Sequence, residues 1–186
     1  YGRPRVAQRL VDSIRHHHPE ANVYVCDDSP EPSTYDGATD VPAPAFDVGL
    51  SAKRNLLVQA TDEPFLFVWD DDYVCTANSR PADFLHLLRA VGGAGIVAGE
   101  WTLQGGGRPV WFAGRIIPDG GTVRVRPPKG GPQTAETPAG PLRYHRVDLA
   151  PNWFLADRRT LRACPWDETL KLNEHLEFFA RLSALR

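Results

Sequence analysis

The sequence predicts an α/β fold in which helices flank a mixed, mostly parallel sheet. Helical patterns over residues 4–18 and 48–60 alternate with strand patterns over residues 22–26 and 65–69. Apolar residues recur along one face of each helical stretch, whereas 65–69 is a continuous apolar run of the kind found in buried strands. Strands that alternate with helices are typical of βαβ units and parallel sheets.

The remaining sequence predicts further helices, strands and one hairpin. In chain order these are a helix over 81–91, a strand over 95–99, a hairpin over 108–127, a strand over 142–149 and a helix over 173–185. The hairpin prediction rests on the turn residues of 118–121 between two apolar runs. The Pro- and Gly-rich segment 127–141 has the composition of a mobile loop, which would be either a lid over a site or plain surface.

The composition fits one globular domain over residues 1–186. The chain is 42% hydrophobic and 24% charged, which is ordinary for a soluble protein with a sizeable core. Its formal net charge of −2 lacks the basic excess of nucleic-acid-binding proteins. No apolar run is long enough to span a membrane. We therefore expect no nucleic-acid partner and no membrane segment within this chain.

Three consecutive carboxylates, Asp70, Asp71 and Asp72, follow the apolar run 65–69. Adjacent carboxylates repel one another, and a bound cation would relieve that repulsion. Mg²⁺ and Mn²⁺ prefer carboxylate, water and phosphate oxygens, and ligands of open α/β sheets bind at the carboxyl ends of strands. The triplet therefore predicts a metal-plus-phosphate site at a strand end. The alternative interpretation is a solvated acidic turn.

A second acidic pair, Asp27 and Asp28, follows the short strand 22–26. Such carboxylates can accept hydrogen bonds from a nucleotide base or ribose, or they can form an Asx-type turn. The helical stretch 48–60 carries Lys53, Arg54 and Asn55. The two cations could face a diphosphate and Asn55 a ribose or base, or all three could form a solvated polar face.

Two further groups of candidate residues lie near the end of the sequence. The aromatic pair Trp153 and Phe154 could stack on the apolar face of a sugar or could pack in the core. Glu174 and Glu177 share one face of the last helix, with His175 beside them. This arrangement suits a general base aimed into a cleft, although acids near a helix start are also favoured by the helix dipole.

Taken in order, these motifs resemble a GT-A glycosyltransferase of the family-2-like superfamily. Within it, the chain is most similar to the β-1,4-N-acetylgalactosaminyltransferase group, the ganglioside GM2 synthase-like enzymes. The resembling segments are 23–29, 51–59, 65–73, 152–157 and 175–179, so they are spread across nearly the whole chain. The most specific part is the Asp triplet after an apolar strand, combined with the later sequence His-Leu-Glu-Phe-Phe.

The resemblance implies a role for each candidate residue. Asp72 and Asp70 match the DxD-type motif that binds Mn²⁺ or Mg²⁺, with Asp70 also directed to the ribose and Asp71 to the nucleotide sugar. Nucleotide contacts are implied for Asp27, Asp28, Lys53, Arg54 and Asn55, and acceptor or sugar contacts for Trp153, Phe154 and His175. Glu177 matches the catalytic base, with Glu174 as the second candidate, because His175 occupies a place that is often acidic in relatives.

The resemblance also implies a Rossmann-like GT-A fold truncated at both ends. The fold's first strand would precede Tyr1, and a His that often completes the metal site would follow Arg186. A nucleotide-sugar half would cover about 1–75 and an acceptor and catalytic half about 76–186. Relatives occur in the Golgi lumen, anchored in the membrane, and in the cytoplasm of bacteria, so localisation stays open.

The expected reaction is inverting transfer of a sugar, N-acetylhexosamine first, from a UDP-sugar to a hydroxyl of a glycan or glycoconjugate acceptor. Two alternatives remain. A sugar nucleotidyltransferase also places carboxylates and a metal at strand ends, but it would normally carry a Gly-rich basic loop near its start. A non-catalytic carbohydrate-binding relative would not need Asp72 or Glu177.

Overall fold

The computed structural model describes residues 2–103, 106–107 and 113–185. The helices in these ranges are α1 (Pro4–His17), α2 (Leu50–Ala60), α3 (Pro81–Ala90), α4 (Arg158–Ala163) and α5 (Glu174–Ala184). The strands are β1 (Tyr24–Val25), β2 (Thr39–Asp40), β3 (Phe65–Trp69), β4 (Ile96–Ala98), β5 (Arg115–Asp119), β6 (Thr122–Arg126), β7 (Gln133–Thr137), β8 (Gly140–Tyr144) and β9 (Trp153–Asp157).

The central sheet has three strands in the order β3-β9-β4. β9 is antiparallel to both neighbours, so β3 and β4 run in the same direction on either side of it. β1 and β2 form a separate parallel pair, and β5–β6 and β7–β8 are antiparallel hairpins. Within the described ranges only β1–β2 pairs in parallel, and the mostly parallel sheet stays a prediction.

β9 is the middle strand of the central sheet and contributes to the core on both faces. Alternate residues of a strand point to opposite faces of the sheet. Phe154 and Ala156 are fully buried on one face, where Phe154 meets Phe179 of α5 edge to face. Leu155 points to the other face, into a cluster that contains residues of α3 and β4. A continuous apolar strand is needed here because both faces are covered.

α1 packs on the β1–β2 pair through one apolar face. Ala7 and Val11 are buried in a cluster with Tyr35, and Pro4 occupies the first turn, where its missing N–H costs nothing. His18 follows the helix, and its ring Nε2 lies 2.9 Å from the carbonyl oxygen of Ser79.

The four predicted helices are confirmed, with ends that differ by one or two residues. The hairpin is confirmed over 115–126, while its predicted part at 108–112 lies outside the described residues. Two predictions were wrong. Segment 127–141 contains β7 rather than only a loop, and the strand expected over 142–149 ends at Tyr144 because it pairs with β7 in a hairpin. In the described part of the chain, no helix is both long and apolar enough to cross a membrane.

Candidate functional site

A cavity of about 1030 Å³ lies between α1, α2, β1 and β3. Most of its wall is apolar, from the helices and from Phe65, Phe67 and Trp69 of β3. Its polar end lies where β1 and β3 finish and is lined by charged side chains. These are Arg3, Asp27, Lys53, Arg54, Asp70, Asp71 and Asp72. Two strand ends that sequence analysis treated separately thus share one polar mouth.

Asp28 is almost fully buried and is held by α2. Its carboxylate accepts a hydrogen bond from Nζ of Lys53 at 2.7 Å and one from the backbone N–H of Gly49 at 3.3 Å. Burial alone would raise the pKa of Asp28, but the hydrogen bond and positive charge of Lys53 outweigh burial and lower it. Asp28 is therefore ionised at neutral pH and joins the end of β1 to the start of α2.

Asp27 closes the loop that follows β1. Its two carboxylate oxygens accept hydrogen bonds from the backbone N–H and hydroxyl of Ser29, from the Ser33 N–H at 3.1 Å and from the Tyr35 hydroxyl at 2.9 Å. Burial favours a higher pKa for Asp27, and these donors together lower it. This is the Asx-type turn, so a base or ribose that bonded to Asp27 would have to replace one of these partners.

Arg54 connects the end of β3 with the start of α5. Its guanidinium donates to Oδ1 of Asp70 at 2.8 Å and to Oε1 of Glu174 at 3.2 Å, and only 7% of its side chain is exposed. The same guanidinium lies 5.7 Å from the centre of the Trp166 ring. Arg54 thus brings together two carboxylates that are far apart in the sequence.

Asn55 anchors the loop between α4 and α5. Its side-chain amide donates to the Trp166 carbonyl at 2.9 Å and to Oε1 of Glu168 at 2.8 Å, and its oxygen accepts from the Trp166 N–H at 3.0 Å. The consecutive residues Lys53, Arg54 and Asn55 therefore reach three different segments of the chain. The alternative of a solvated polar face does not hold for any of the three, because each side chain is largely buried.

The Asp triplet is only partly engaged by the protein. One oxygen of Asp70 contacts Arg54, Asp71 contacts Arg3 at 2.6 Å, and Asp72 is exposed with no hydrogen bond or ion pair to other described side chains. In the described ranges, no group of three or more His, Cys, Asp or Glu side chains is arranged to hold a metal. Mg²⁺ commonly takes one or two carboxylates with phosphate oxygens and water. The second oxygen of Asp70 and the exposed carboxylate of Asp72 are oxygen donors of the type that such a partial site uses.

The two candidate bases occupy different environments. Glu174 is buried against Arg54, beside the end of β3. Glu177 forms a bidentate pair with Arg181, which also donates to the carbonyl oxygen of Pro165 at 2.7 Å. Of the two, the structure brings Glu174 to the Asp triplet and directs Glu177 towards the loop after α4.

His175 and the aromatic pair Trp153 and Phe154 are not among the residues that line the cavity. Burial and the nearby charge of Arg54 lower the pKa of His175, whose Nδ1 lies 2.6 Å from Oδ1 of Asn152. Phe154 is fully buried, and Trp153 is 9% exposed among aromatic rings that include Phe84. Both aromatic residues thus have the surroundings expected for core packing, and neither presents a ring face to solvent.

Sequence reasoning did not single out Arg3, Tyr35 or Asn152. Arg3 was hidden because its partner Asp71 lies 68 residues away. Tyr35 lies in a Pro-rich loop and marked no motif. Asn152 marks no motif by itself, and its contact with His175 depends on the packing of β9 against α5.

Comparison with known proteins gave no match, whether against protein-family models, curated proteins or solved structures.

Proposed function

We propose that this chain is the catalytic domain of a metal-dependent, inverting GT-A glycosyltransferase, similar to β-1,4-N-acetylgalactosaminyltransferases. The donor would be a UDP-sugar, with an N-acetylhexosamine first among the sugars, and the acceptor a hydroxyl of a glycan or glycoconjugate. The observation that supports this proposal is the shared polar mouth. There the carboxylates after β1 and β3 meet two cations of α2 at the edge where α/β proteins bind ligands.

In this proposal Asp72 and the second oxygen of Asp70 would hold Mn²⁺ or Mg²⁺. When bound, the ion supplies positive charge that neutralises the departing diphosphate. Lys53 lies on the wall of the same mouth and, on releasing Asp28, can face the diphosphate as a second cation. Asp27 lines the mouth and would accept from the uracil or ribose, while Asp28 would reach the nucleotide only on releasing Lys53. Fixed charges aimed at a developing charge lower the barrier without reorganising during the reaction.

The chemical step is a single displacement. A carboxylate takes the proton of the acceptor hydroxyl as its oxygen forms a bond to the anomeric carbon, and the bond from that carbon to the diphosphate oxygen breaks, with its electron pair leaving on UDP. Glu177 and Glu174 are the candidate bases. Each is paired with an arginine, Arg181 or Arg54, so the active base would have to exchange that partner for the acceptor hydroxyl.

Calorimetric titration of UDP tests the donor site. We expect binding in the presence of Mn²⁺, loss of binding on addition of EDTA, and loss in the Asp72→Ala variant. Asp62→Ala is the matched control, because Asp62 is an exposed carboxylate at the opposite end of β3. Binding of UDP that ignores both EDTA and Asp72→Ala would contradict the proposal.

Turnover separates the two candidate bases. Glu174→Gln and Glu177→Gln remove the charge with little change of shape, and the variant that lacks the base should retain Mn²⁺-dependent UDP binding while transfer falls by about 10²-fold or more. If both variants transfer sugar at the rate of the unmodified chain, neither residue is the base. Formation of a nucleoside diphosphate sugar and pyrophosphate from a nucleoside triphosphate and a sugar phosphate would instead indicate a nucleotidyltransferase.

A further inference from the structure

Arg54 is a single cation that serves two carboxylates from different elements, Asp70 directly after β3 and Glu174 at the start of α5. We propose that Arg54 leaves Asp70 and pairs with Glu174 alone when a divalent cation binds at Asp70 and Asp72. Arg54 is then a positioning residue through which cation binding fixes the start of α5. This inference rests on the metal site of the proposed function, but it is independent of the sugar and of the acceptor.

The charges around Arg54 do not balance. Its guanidinium carries one positive charge and is 7% exposed, whereas Asp70 and Glu174 together carry two negative charges at neutral pH. Each of the two carboxylates accepts from a different nitrogen of the guanidinium, at 2.8 Å for Asp70 and 3.2 Å for Glu174. An arginine binds a carboxylate most strongly when it gives two parallel N–H groups to the same partner. Arg54 is therefore divided between two partners, and neither has it completely.

A cation at Asp70 changes the balance between the two partners of Arg54. The negative charge of Asp70 is then taken up by the cation, and the guanidinium and the cation repel each other. This repulsion is large around Arg54, because charges interact more strongly where they are shielded from water. Glu174 is already bonded to Arg54, so a small shift of the guanidinium is enough to give both N–H groups to this carboxylate.

The first turn of α5 lacks the side-chain cap that usually holds a helix start. Its N-cap residue is Asn173, whose side chain makes no capping hydrogen bond. The backbone of Asn173 is left-handed, with a φ of 62°, which is unfavourable for a residue other than glycine. The ion pair of Glu174 with Arg54 anchors the first residue of this helix. A stronger pair at Glu174 should therefore hold the first turn of α5 more firmly.

The loop that leads into α5 is attached to the helix that carries Arg54. Asn55 bonds to both backbone groups of Trp166, and the hydroxyl of Ser51 donates to the carbonyl of Leu170 at 3.3 Å. Both Asn55 and Ser51 belong to α2, so this helix supports the loop and the guanidinium together. Arg54 can therefore change its contact with Glu174 without displacing the loop.

The coupling between the two carboxylates has to act in both directions. If cation binding strengthens the pair of Arg54 with Glu174, loss of the charge on Glu174 must weaken cation binding by the same factor. Without that charge, Arg54 stays on Asp70 and competes with the cation for this carboxylate. Glu174 thus affects the affinity for the metal through Arg54 and not as a metal ligand.

Titration with Mn²⁺ tests this effect, with the bound fraction measured from the electron paramagnetic resonance signal of the unbound ion. We expect Glu174→Gln to lower the Mn²⁺ affinity at least about fivefold, but less than about twofold in a chain that already carries Arg54→Gln. A direct attraction between Glu174 and the cation would give the same loss in both backgrounds and would overturn the inference. Glu168→Gln is the matched control, because Glu168 bonds to Asn55 and not to Arg54, and it should leave the affinity unchanged.

Amide hydrogen exchange gives a second measurement that needs no Arg54 variant. The N–H of Glu177 donates to the carbonyl of Asn173 at 3.1 Å across the first turn of α5. We expect Mg²⁺ to slow the exchange of this amide at least about threefold in the unmodified chain, and to have no such effect in Glu174→Gln. Equal exchange with Mg²⁺ and with EDTA in the unmodified chain would overturn the inference.

The Asp72→Ala variant separates this inference from the proposed function. If the unmodified chain binds no Mn²⁺, or if Asp72→Ala binds Mn²⁺ equally well, the metal site is wrong and both proposals fail. If Mn²⁺ binding requires Asp72 but Glu174→Gln leaves the affinity unchanged, only the coupling through Arg54 is overturned.

Discussion

At the scale of single residues, the site depends most on the two ion pairs of Arg54. It is buried between Asp70 and Glu174, and each carboxylate there would be left without its cation if Arg54 were replaced by a neutral residue. Removing one partner of a buried ion pair costs far more than the pair itself contributes, because a charge stays buried and uncompensated.

Arg54→Gln should therefore lower the free energy of unfolding by about 3–5 kcal/mol. Arg54→Lys should lose less of the free energy of unfolding than Arg54→Gln, because a Lys keeps the charge but cannot reach both carboxylates with a planar fork. Urea denaturation at neutral pH measures both. Arg159→Gln is the control, because Arg159 pairs with Asp157 while 91% of its side chain is exposed, and we expect a change within about 0.5 kcal/mol. Equal losses for Arg54→Gln and Arg159→Gln would contradict this role.

Asp28 gives a second prediction at this scale, for the dependence of stability on pH. Lys53 lowers the folded pKa of Asp28 despite burial. The contribution of Asp28 to the free energy of unfolding is therefore complete above the ordinary Asp pKa of about 3.9, and it is lost as pH falls through the lower folded pKa. Asp28→Asn should thus lower the free energy of unfolding by about 1–3 kcal/mol at pH 7. The difference from the unmodified chain should shrink below about pH 4.

Denaturant titrations between pH 3 and pH 7 check the Asp28 prediction. Asp62→Asn is the control variant, since it removes an exposed carboxylate at the other end of β3. A difference for Asp28→Asn that stays constant down to pH 3 would show that its ionisation does not contribute.

The sequence identified most of these residues but not their partners. Lys53, Arg54 and Asn55 could be recognised as a polar group on a predicted helix. Their contacts with Asp28, Glu174 and Trp166 depend on tertiary packing across 25 to 120 residues, which no local pattern encodes. The ranking of Glu177 above Glu174 came from the family resemblance, and it stays a prediction.

At the scale of elements, the approach of β4 to β9 leaves no room for a side chain at Gly99. A Cβ there would overlap the ring of Trp153 and lie 2.6 Å from the ring of Phe84. Gly99 follows β4, and its N–H points to the carbonyl of Trp153. Because Gly99 has no side chain, the ring of Trp153 can pack directly against its backbone.

Gly99→Ala should accordingly destabilise the protein by about 1–3 kcal/mol, because Trp153 must shift or the sheet must open. Gly131→Ala is the matched control, since a Cβ at Gly131 meets nothing within 4 Å and its φ is not positive. Thermal unfolding and tryptophan fluorescence would show the difference. Indistinguishable melting curves for the two variants would contradict the packing described for β9.

Elements were predictable where a periodic pattern was long. Of the four predicted helices, α1 and α3 have Pro in the first turn and α5 buries Phe178 and Phe179, while α2 buries mainly small and polar residues. By contrast, α4 has only six residues, and the sequence marks β9 only by its aromatic pair. One signal for α4 was present, because Asp157 caps it by accepting from the N–H of Arg159. The pairing of β9 with β3 and β4 could not be predicted, since strand order depends on contacts distant in sequence.

At the scale of the whole molecule, the two sheets differ in how firmly they are held. The β3-β9-β4 sheet is packed on both faces, by residues of α5 on one side and of α3 on the other. The β1–β2 pair has two residues in each strand, and β1 borders the cavity. Stability in proteins is distributed unevenly, and segments with few apolar contacts open first.

Amide exchange in the chain of residues 1–186 should therefore separate the two sheets. We expect the amides of Phe154 and Ala156 in β9 to be among the slowest, because they open only with global unfolding. The amides of Thr39 and Val41, which bond to the carbonyls of Val23 and Val25, should exchange at least tenfold faster through local opening. Equal protection of both sheets in the unextended chain would mean that they already unfold as one unit, despite the cavity between them.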